Sequence, residues 1–588
     1  MASKTAAPAN EYSAAAAARK EGVTVTDVDA TNMDHTGSAD DSDDALDAQA
    51  GVQGIEATTS VWTKAALIFA YVWIWIVYFV DTTQQGATSS LTPYVTSAFQ
   101  QHSLTPTVSI LSSIIGGVSK LTIAKMLDVI GRPAGYMLCI ILTTLGLVLM
   151  AACDSVEMYA AAQVFYWVGY NGLTFCLSIF IADTSSLRNR GLMFAYANSP
   201  YIITTWLSGP ISEAILDGPG WRWGFGIFTI VTPVATLPLW VLFVHYARVA
   251  RAQGLLANTP SGRNAWQSFV HYAREFDAVG LLLISAGLSL FLLAFNLEPR
   301  QSEGWSSALV LCFIIIGIAL IVVFAVWEKW FAPVTFIPYG LLVDRTVLGS
   351  CVLAGSLFVS FYMWNSYFFS FLQVVNGLSV TKASYVTQIY NVGSCLFSIP
   401  TGLVIRYTNR FKGVALYFGL PISILGGALL IHFRQPSVDI GYIVMCQIFI
   451  AFGGGALVIA QQVSIMAATG HQYIAVVLAI ENMCSSIGGA IGSTVSSAIW
   501  QAKFPAALAK NLPESAQANL AIIYGDLTTQ LSYPAGSETR IAIQDSYGEA
   551  VRYMYISATC IKVISVVAVL FWRNISLKDK KQVKGIVF

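Results

Sequence analysis

Beyond residue 60 the chain is a succession of apolar runs separated by polar loops. A helix needs about 20 mainly apolar residues to cross the hydrocarbon of a bilayer. Runs of that kind lie near 63–98 (long, with a polar second half), 106–128, 133–152, 157–182, 191–214, 222–246, 277–297 and 308–330. Six more follow near 346–375, 382–405, 413–432, 440–465, 473–500 and 551–572. The pattern therefore predicts about fourteen transmembrane helices. Backbone groups in hydrocarbon can be satisfied only within the protein, so the expected fold is an all-α integral membrane bundle. Residues 1–60 differ in kind. They are rich in Ala, Ser, Thr and Asp, carry the run "ADDSDDALD" and hold almost no large apolar side chain. Such a segment cannot bury enough surface to fold and is expected to be a disordered acidic tail. No short apolar core lies near Met1, so a cleaved signal peptide is not expected.

Composition agrees. The 588 residues are 55% hydrophobic and 11% charged, with a mean hydropathy of +0.63; soluble proteins carry about 25% charged residues. Zero net charge leaves no basic field for nucleic acid. All nine cysteines fall in or at the ends of apolar runs, which points to core packing and not to a disulfide framework. The six histidines are scattered, without metal-ligand spacing, and no phosphate-binding G-x-x-x-x-G-K-[ST] motif occurs. The chain thus reads as a transporter, not an enzyme. It has no catalytic residues, metal site or cofactor, and it takes its energy from a gradient.

Loop charges set the expected orientation. With the N-terminus inside, the short inner loops hold Arg132, Arg188, Arg190, Arg248, Arg251, Arg263, Arg274, Lys329, Arg345, Arg406, Arg410 and Lys412. The short outer loops hold only Arg222, Arg300, Lys382 and Arg434. This bias places both termini in the cytoplasm. One outer segment, 501–550, is expected as an unusually long loop; loops of that length in compact proteins are usually functional or disordered, and the helical spacing of "FPAALAKNLPESAQANLAIIYGDL" argues against full disorder.

The apolar runs carry a few ionisable groups. Asp81, in "YVWIWIVYFVDTTQQGATSS", sits partway along the first. A charge at the bilayer centre costs about 2.5–3.5 kcal/mol on insertion scales, so such a residue faces a cavity or a partner. It is a candidate for taking up and releasing a proton; the alternative places it, hydrated, at the outer interface. Glu481 in "VVLAIENMCSSIGG" and Glu213 in "SGPISEAIL" are further proton-coupling candidates, the latter near the outer end of its span. Asp183 in "IADTSSLRNRG" is expected to pair with Arg188 or Arg190 at the cytoplasmic face. Lys562 either snorkels or pairs. Neutral amides and clustered aromatics ("VFYWVGYNG", "FVSFYMWNSYFFSFL") suit a bulky neutral cargo, although aromatics at helical spacing also form packing or interface belts.

The loop "AKMLDVIGRPAGY" carries Asp128, Gly131 and Arg132, an acid and an arginine bracketing a glycine at a helix–helix turn. Between the second and third runs this resembles the cytoplasmic signature of the major facilitator superfamily. "VDTTQQ" in the first run resembles a signature of its fourteen-helix branch. A wider set, including "SSLTPYVTSAFQQHSL", "QVFYWVGYNG", "SPYIITTWLSGP", "WRWGFG", "FAVWEKWFAPVTFIP", "FFSFLQVVNGLS" and "GAIGSTVSSAIWQAKFPAALAKNLP", covers nearly everything after residue 60. It resembles the fungal siderophore-iron transporter family, in wording nearest to the ferrichrome-type permeases. The resemblance implies proton-coupled import of an intact ferric hydroxamate siderophore across the plasma membrane, with a vesicular or endosomal pool allowed; iron is carried only as its chelate. It also implies that the last outer loop receives cargo, with Tyr524, Tyr533 and Tyr547 as candidates. Export of drugs or glutathione on the same fold is the alternative. Against it, the antiporter motif in the fifth run keeps Gly209 and Pro210 but reads Tyr196, Thr205, Glu213 and Ala214 at its other glycine positions, and the antiporter arginine of the fourth run is replaced by Phe165 or its neighbours.

The expected organisation is a tail at 1–60, a six-helix bundle at 61–246, a cytoplasmic loop at 247–276, an inserted helix pair at 277–330, a second six-helix bundle at 331–572 and a basic tail at 573–588. A cargo site between the bundles would be lined by Tyr170, Asn171 and Tyr201 on one side and by Tyr362, Asn365, Tyr367, Asn391 and Asn482 on the other. Asp128, Gly131, Arg132, Asp183, Arg188 and Arg190 would form the cytoplasmic gate of a monomer whose partners are the siderophore, protons and the lipid bilayer.

Overall fold

The computed structural model describes residues 54, 57–98, 119–120, 122–255, 267, 277–298, 301, 303–332, 341, 343–525 and 527–578. Of the expected segments, the tail up to residue 53, most of the 247–276 loop and positions 579–588 lie outside the described residues. The chain folds as α1 Lys64–Ala98, α2 at 122–130, α3 Arg132–Ala152, α4 Val156–Thr184, α5 Leu187–Asn198, α6 Tyr201–Asp217 and α7 Trp221–Ala252. Next come α8 Ala278–Leu297 and α9 Ala308–Trp330. The rest is α10 Arg345–Asn365, α11 Phe368–Val374, α12 Val380–Thr408, α13 Leu420–Phe433, α14 Ile440–Ala467, α15 Ile474–Asn511, α16 Glu538–Cys560 and α17 Lys562–Phe571.

Among the described residues, 12 helical units are long and apolar enough to cross a membrane. The other two expected spans are accounted for locally. The second is described only at 119–120 and 122–130. The fifth is divided at Ser199–Pro200 into α5 and α6, of 12 and 17 residues. Proline lacks the N–H that would continue the helical ladder, and Ser199 Oγ bonds the Tyr196 carbonyl at 2.8 Å. Elsewhere helix starts are capped by side-chain oxygens. Ser155 accepts from Met158 N–H, Asp344 from Thr346 N–H at 2.7 Å and Asp439 from Gly441 N–H at 2.7 Å.

Helices α1, α3, α4, α6 and α7 pack together as a first bundle, and α10 and α12 to α17 as a second. The inserted helices α8 and α9 pack on each other, and α8 also touches α15, where Thr494 Oγ1 donates to the Phe295 carbonyl at 3.3 Å. Lys562 neither snorkels nor pairs with an acid: it donates to Ser423 O and Oγ at 2.8 and 2.7 Å inside the second bundle. Cys312 and Cys560, expected in the core, are exposed on the bundle surface.

The segment 501–550 is not the expected loop. Helix α15 continues to Asn511 and α16 begins at Glu538. The stretch between them folds back onto the bundle, with Gln530 O accepting from Arg540 and the Gln530 amide donating to Ile523 O at 2.7 Å. Arg540 and Gln544 also donate to the carbonyls of Val374 at the end of α11. The alternating polar and apolar residues of 501–550 are those of helices with one wet face.

The bundles meet closely at the end where α2 turns into α3, here termed the basic end. Helix α5 belongs to the first bundle by connectivity yet packs on α12 and α14 of the second. Glycine makes this possible. A Cβ on Gly402 would lie 2.7 Å from Leu192 Cα, and one on Gly191 would lie 3.1 Å from Ile459 and Val463 side chains. Gly402→Leu is therefore expected to cost about 1–3 kcal/mol of overpacking and to speed tryptic cleavage at Arg188 and Arg406 in detergent. Gly209→Leu, where a Cβ meets nothing within 4 Å, should leave cleavage unchanged.

Candidate functional site

At the basic end Gly131 adopts φ 98° between α2 and α3, a left-handed turn that glycine enters without a Cβ penalty. The turn sets Arg132 against two buried carboxylates. Its NH1 donates to Asp128 at 2.7 Å and its Nε to Asp183, at the end of α4, at 3.1 Å. Asp183 is thus paired with Arg132. Arg190 lies within Coulomb range of Asp183, and its guanidinium donates to the Ala182 and Ser185 carbonyls at the C-terminal end of α4. Arg188 instead crosses the seam to the Arg406 carbonyl at 2.7 Å. From the second bundle, His471 Nε2 approaches the other oxygen of Asp183 at 3.5 Å.

Asp81 occupies the middle of α1, with 17 residues on either side (64–80 and 82–98). It is 2% exposed, and neither carboxylate oxygen has a hydrogen-bond partner among the described residues. This removes the alternative of a hydrated interfacial acid. The phenols of Tyr78, Tyr136, Tyr166, Tyr170 and Tyr201 lie within Coulomb range, and Tyr170 and Tyr201 share a hydrogen bond of 3.3 Å. One turn on, Gln84 accepts from Thr232 of α7. The first bundle thus encloses an acid with several phenols in Coulomb range, among them Tyr170 and Tyr201, which were expected as cargo-lining residues. Asn171 is half-buried, and its amide donates to its own helix at Trp167 O, 2.9 Å.

In the second bundle Glu481 is 3% exposed. One oxygen accepts from Gln461 at 2.8 Å and the other has no partner among the described residues. Its neighbour Asn482 accepts at 2.9 Å from Lys120, which belongs to the first bundle. Lys120 was not among the expected site residues. Its signal was available: a lysine within "IGGVSKLTIAKML", in an apolar run.

The remaining expected residues divide. Tyr362 and Asn391 are exposed and Asn365 half-buried on the second bundle, where Asn391 donates to Gln388 at 2.8 Å. Tyr367 is stacked on Trp500, with ring centroids 4.3 Å apart. Glu213 is exposed on α6. Among the described residues no hydrogen bond joins the two expected lining sets except through Lys120 and Asn482. Tyr547 is 2% exposed, packs on Trp500 and Phe504 and donates to Gln530 at 2.8 Å. It is a core residue and not a surface that receives cargo. Tyr524 and Tyr533 are half-buried beside it.

Two helical bundles, the ion-paired Asp128–Arg132 turn and a buried acid in the first helix fit a major facilitator, and the family model described as Major Facilitator Superfamily matches residues 74–342. A solved bacterial homologue of the iron transporter ferroportin in an outward-facing state has the same fold, with a TM-score of 0.53 at 7% identity, covering 85% of this chain and 99% of its own. "MFS siderochrome iron transporter 1" of Ajellomyces capsulatus is 56% identical over 93% of both chains, and "Siderochrome iron transporter 2" of Aspergillus fumigatus is 44% identical over 92% of this chain and 89% of its own. The chain belongs to the siderochrome iron transporter family of the major facilitators.

Arg132→Gln is expected to strand two buried carboxylates and to cost about 3–5 kcal/mol, read as a lower unfolding midpoint in detergent. Arg132→Lys should recover only part of this, because a single ammonium cannot reproduce the two-pronged contact.

Proposed function

We propose that the protein imports ferric siderophores, hydroxamate chelates of the ferrichrome type, by proton symport across the plasma membrane, with both termini and the basic end in the cytoplasm. The observation that carries the reading is the 56% identity, over 93% of both chains, to a protein named as a siderochrome iron transporter. Proton coupling is supported by Asp81, buried at the middle of α1 without a hydrogen-bond partner. A carboxyl in such a place can exchange a proton once the carrier opens it to water. A cycle that opens each side in turn gives it a proton from one solution and a route of release to the other.

The energetics suffice. One proton gains about 2.3 kcal/mol per 100 mV of membrane potential, and one pH unit adds about 1.4 kcal/mol. Together they sustain several hundredfold accumulation, at about 1.4 kcal/mol per decade. A neutral chelate adds no opposing electrical work. Iron crosses as part of the chelate, and the protein acts as a monomer.

A yeast strain lacking its own siderophore uptake, expressing this chain, should grow on ferric hydroxamates as sole iron source. Failure on every hydroxamate tested, with the protein at the cell surface, overturns the substrate class. Asp81→Asn should keep cargo binding while uptake falls by about tenfold or more, as expected for removal of a proton-transfer group, and what uptake persists should no longer follow external pH. Radiolabelled iron uptake between pH 4.5 and 7.5 checks this; a wild-type profile in the variant places the coupling acid elsewhere.

A further inference from the structure

The contact between Lys120 and Asn482 joins the two bundles through a full charge, as Arg188 does at the Arg406 carbonyl, and its acceptor directly follows the buried Glu481 in the chain. Lys120 comes from the second span and Asn482 and Glu481 from α15, and the ammonium is 2.9 Å from Asn482 Oδ1. Asn482 is fixed in turn, because its own amide donates to Leu478 O at 2.8 Å. Glu481 is held on one oxygen by Gln461 of α14, while its other oxygen is buried with no hydrogen bond. The charged or titratable groups facing Glu481 are Lys120 from the first bundle, Cys351 from α10 and Cys484 from its own helix. Lys120 is the only cation of that set.

The geometry points to a charge latch across the seam: ionised Glu481 and Lys120 hold the basic end closed, and that end opens only once Glu481 has taken a proton. The inference rests on the proton-coupled import proposed above and assigns its conformational step. In the closed arrangement the two opposite charges share a low-dielectric interior and compensate one another. Opening the basic end carries the first bundle away from α15, so that a carboxylate left on Glu481 would stay buried without its cation. A proton on Glu481 removes that penalty, and Lys120, which is only half-buried, can then be hydrated. Asp81, enclosed in the first bundle, has no cation beside it and serves the loading of the proton. Lys120 is a positioning residue: it acts on the cycle through Glu481.

The test is a double-mutant cycle in whole yeast, with surface amounts measured by a fluorescent tag. Lys120→Met and Glu481→Gln each strand one member, and each should lower ferric hydroxamate uptake by about tenfold or more. The double variant Lys120→Met/Glu481→Gln strands neither and should recover to within about threefold of wild type, the non-additivity expected of coupled residues. Lys120→Arg keeps the cation and should keep both uptake and its pH profile, whereas the double variant should lose pH dependence in the opening step. If Lys120→Met fails to reach the surface, Asn482→Ala removes the oxygen that anchors the ammonium without altering charge, and its pH profile should shift while its surface amount holds. Wild-type uptake and pH profile in Lys120→Met, or a double variant no better than the worse single one, overturns the latch. Wild-type uptake that is indifferent to a protonophore overturns instead the proton coupling on which the latch rests.

Discussion

Hydrocarbon offers no hydrogen bonds, and this constraint organises the molecule. Each polar group in the wall must find its partner inside the protein. Within the second bundle, Lys562 with Ser423, Ser350 with Ser464 and Ser356 with Ser565 tie neighbouring helices. Across the seam the same chemistry makes contacts that motion can break. Arg188 reaches the Arg406 carbonyl, His471 approaches Asp183 and Lys120 reaches Asn482. Asp81 belongs to neither kind: it is a buried carboxyl with neither oxygen hydrogen-bonded among the described residues, and Gln447 of α14 is buried with neither amide atom bonded. An arrangement that leaves so costly a group unpaired in one state is understandable if another state, or a bound proton, relieves it.

The Gly131–Arg132 turn shows how little sequence such an ion-paired cluster needs. A glycine able to take φ 98° aims an arginine between two acids contributed by neighbouring helices. Because Arg132 holds Asp128 and Asp183 together, His471 of the opposite bundle meets an acid already engaged with a cation. The contact across the seam is accordingly longer than those within the first bundle, at 3.5 Å against 2.7 and 3.1 Å.

Much of the fold was legible in the sequence because hydropathy and chain length act locally. The span boundaries, the inserted pair and the turn at Gly131 follow from runs of side chains and one glycine. The break at Ser199–Pro200 was equally visible, but a continuous apolar run across it suggested one helix. The segment 501–550 misled for the opposite reason: helices α15 and α16 extend past the apolar runs with one wet face, so their ends resemble a loop. Asp81, Tyr170 and Tyr201 were legible because an acid and phenols stand out in an apolar run. Lys120 was not, because a lysine at such a place ordinarily snorkels, and its partner Asn482 lies 362 residues away in the chain. Tyr547 looked exposed only because its segment did; tertiary packing on Trp500 and Phe504 decided otherwise.

The glycine-lined crossing of α5 over α12 bears on the spacing of the two bundles. Gly402 lies against the Leu192 backbone, and Gly191 of the same α5 takes the Ile459 and Val463 side chains of α14. Any side chain larger than hydrogen at Gly402 would have to push α5 away from α12, so this crossing limits how closely the two halves of the chain can approach.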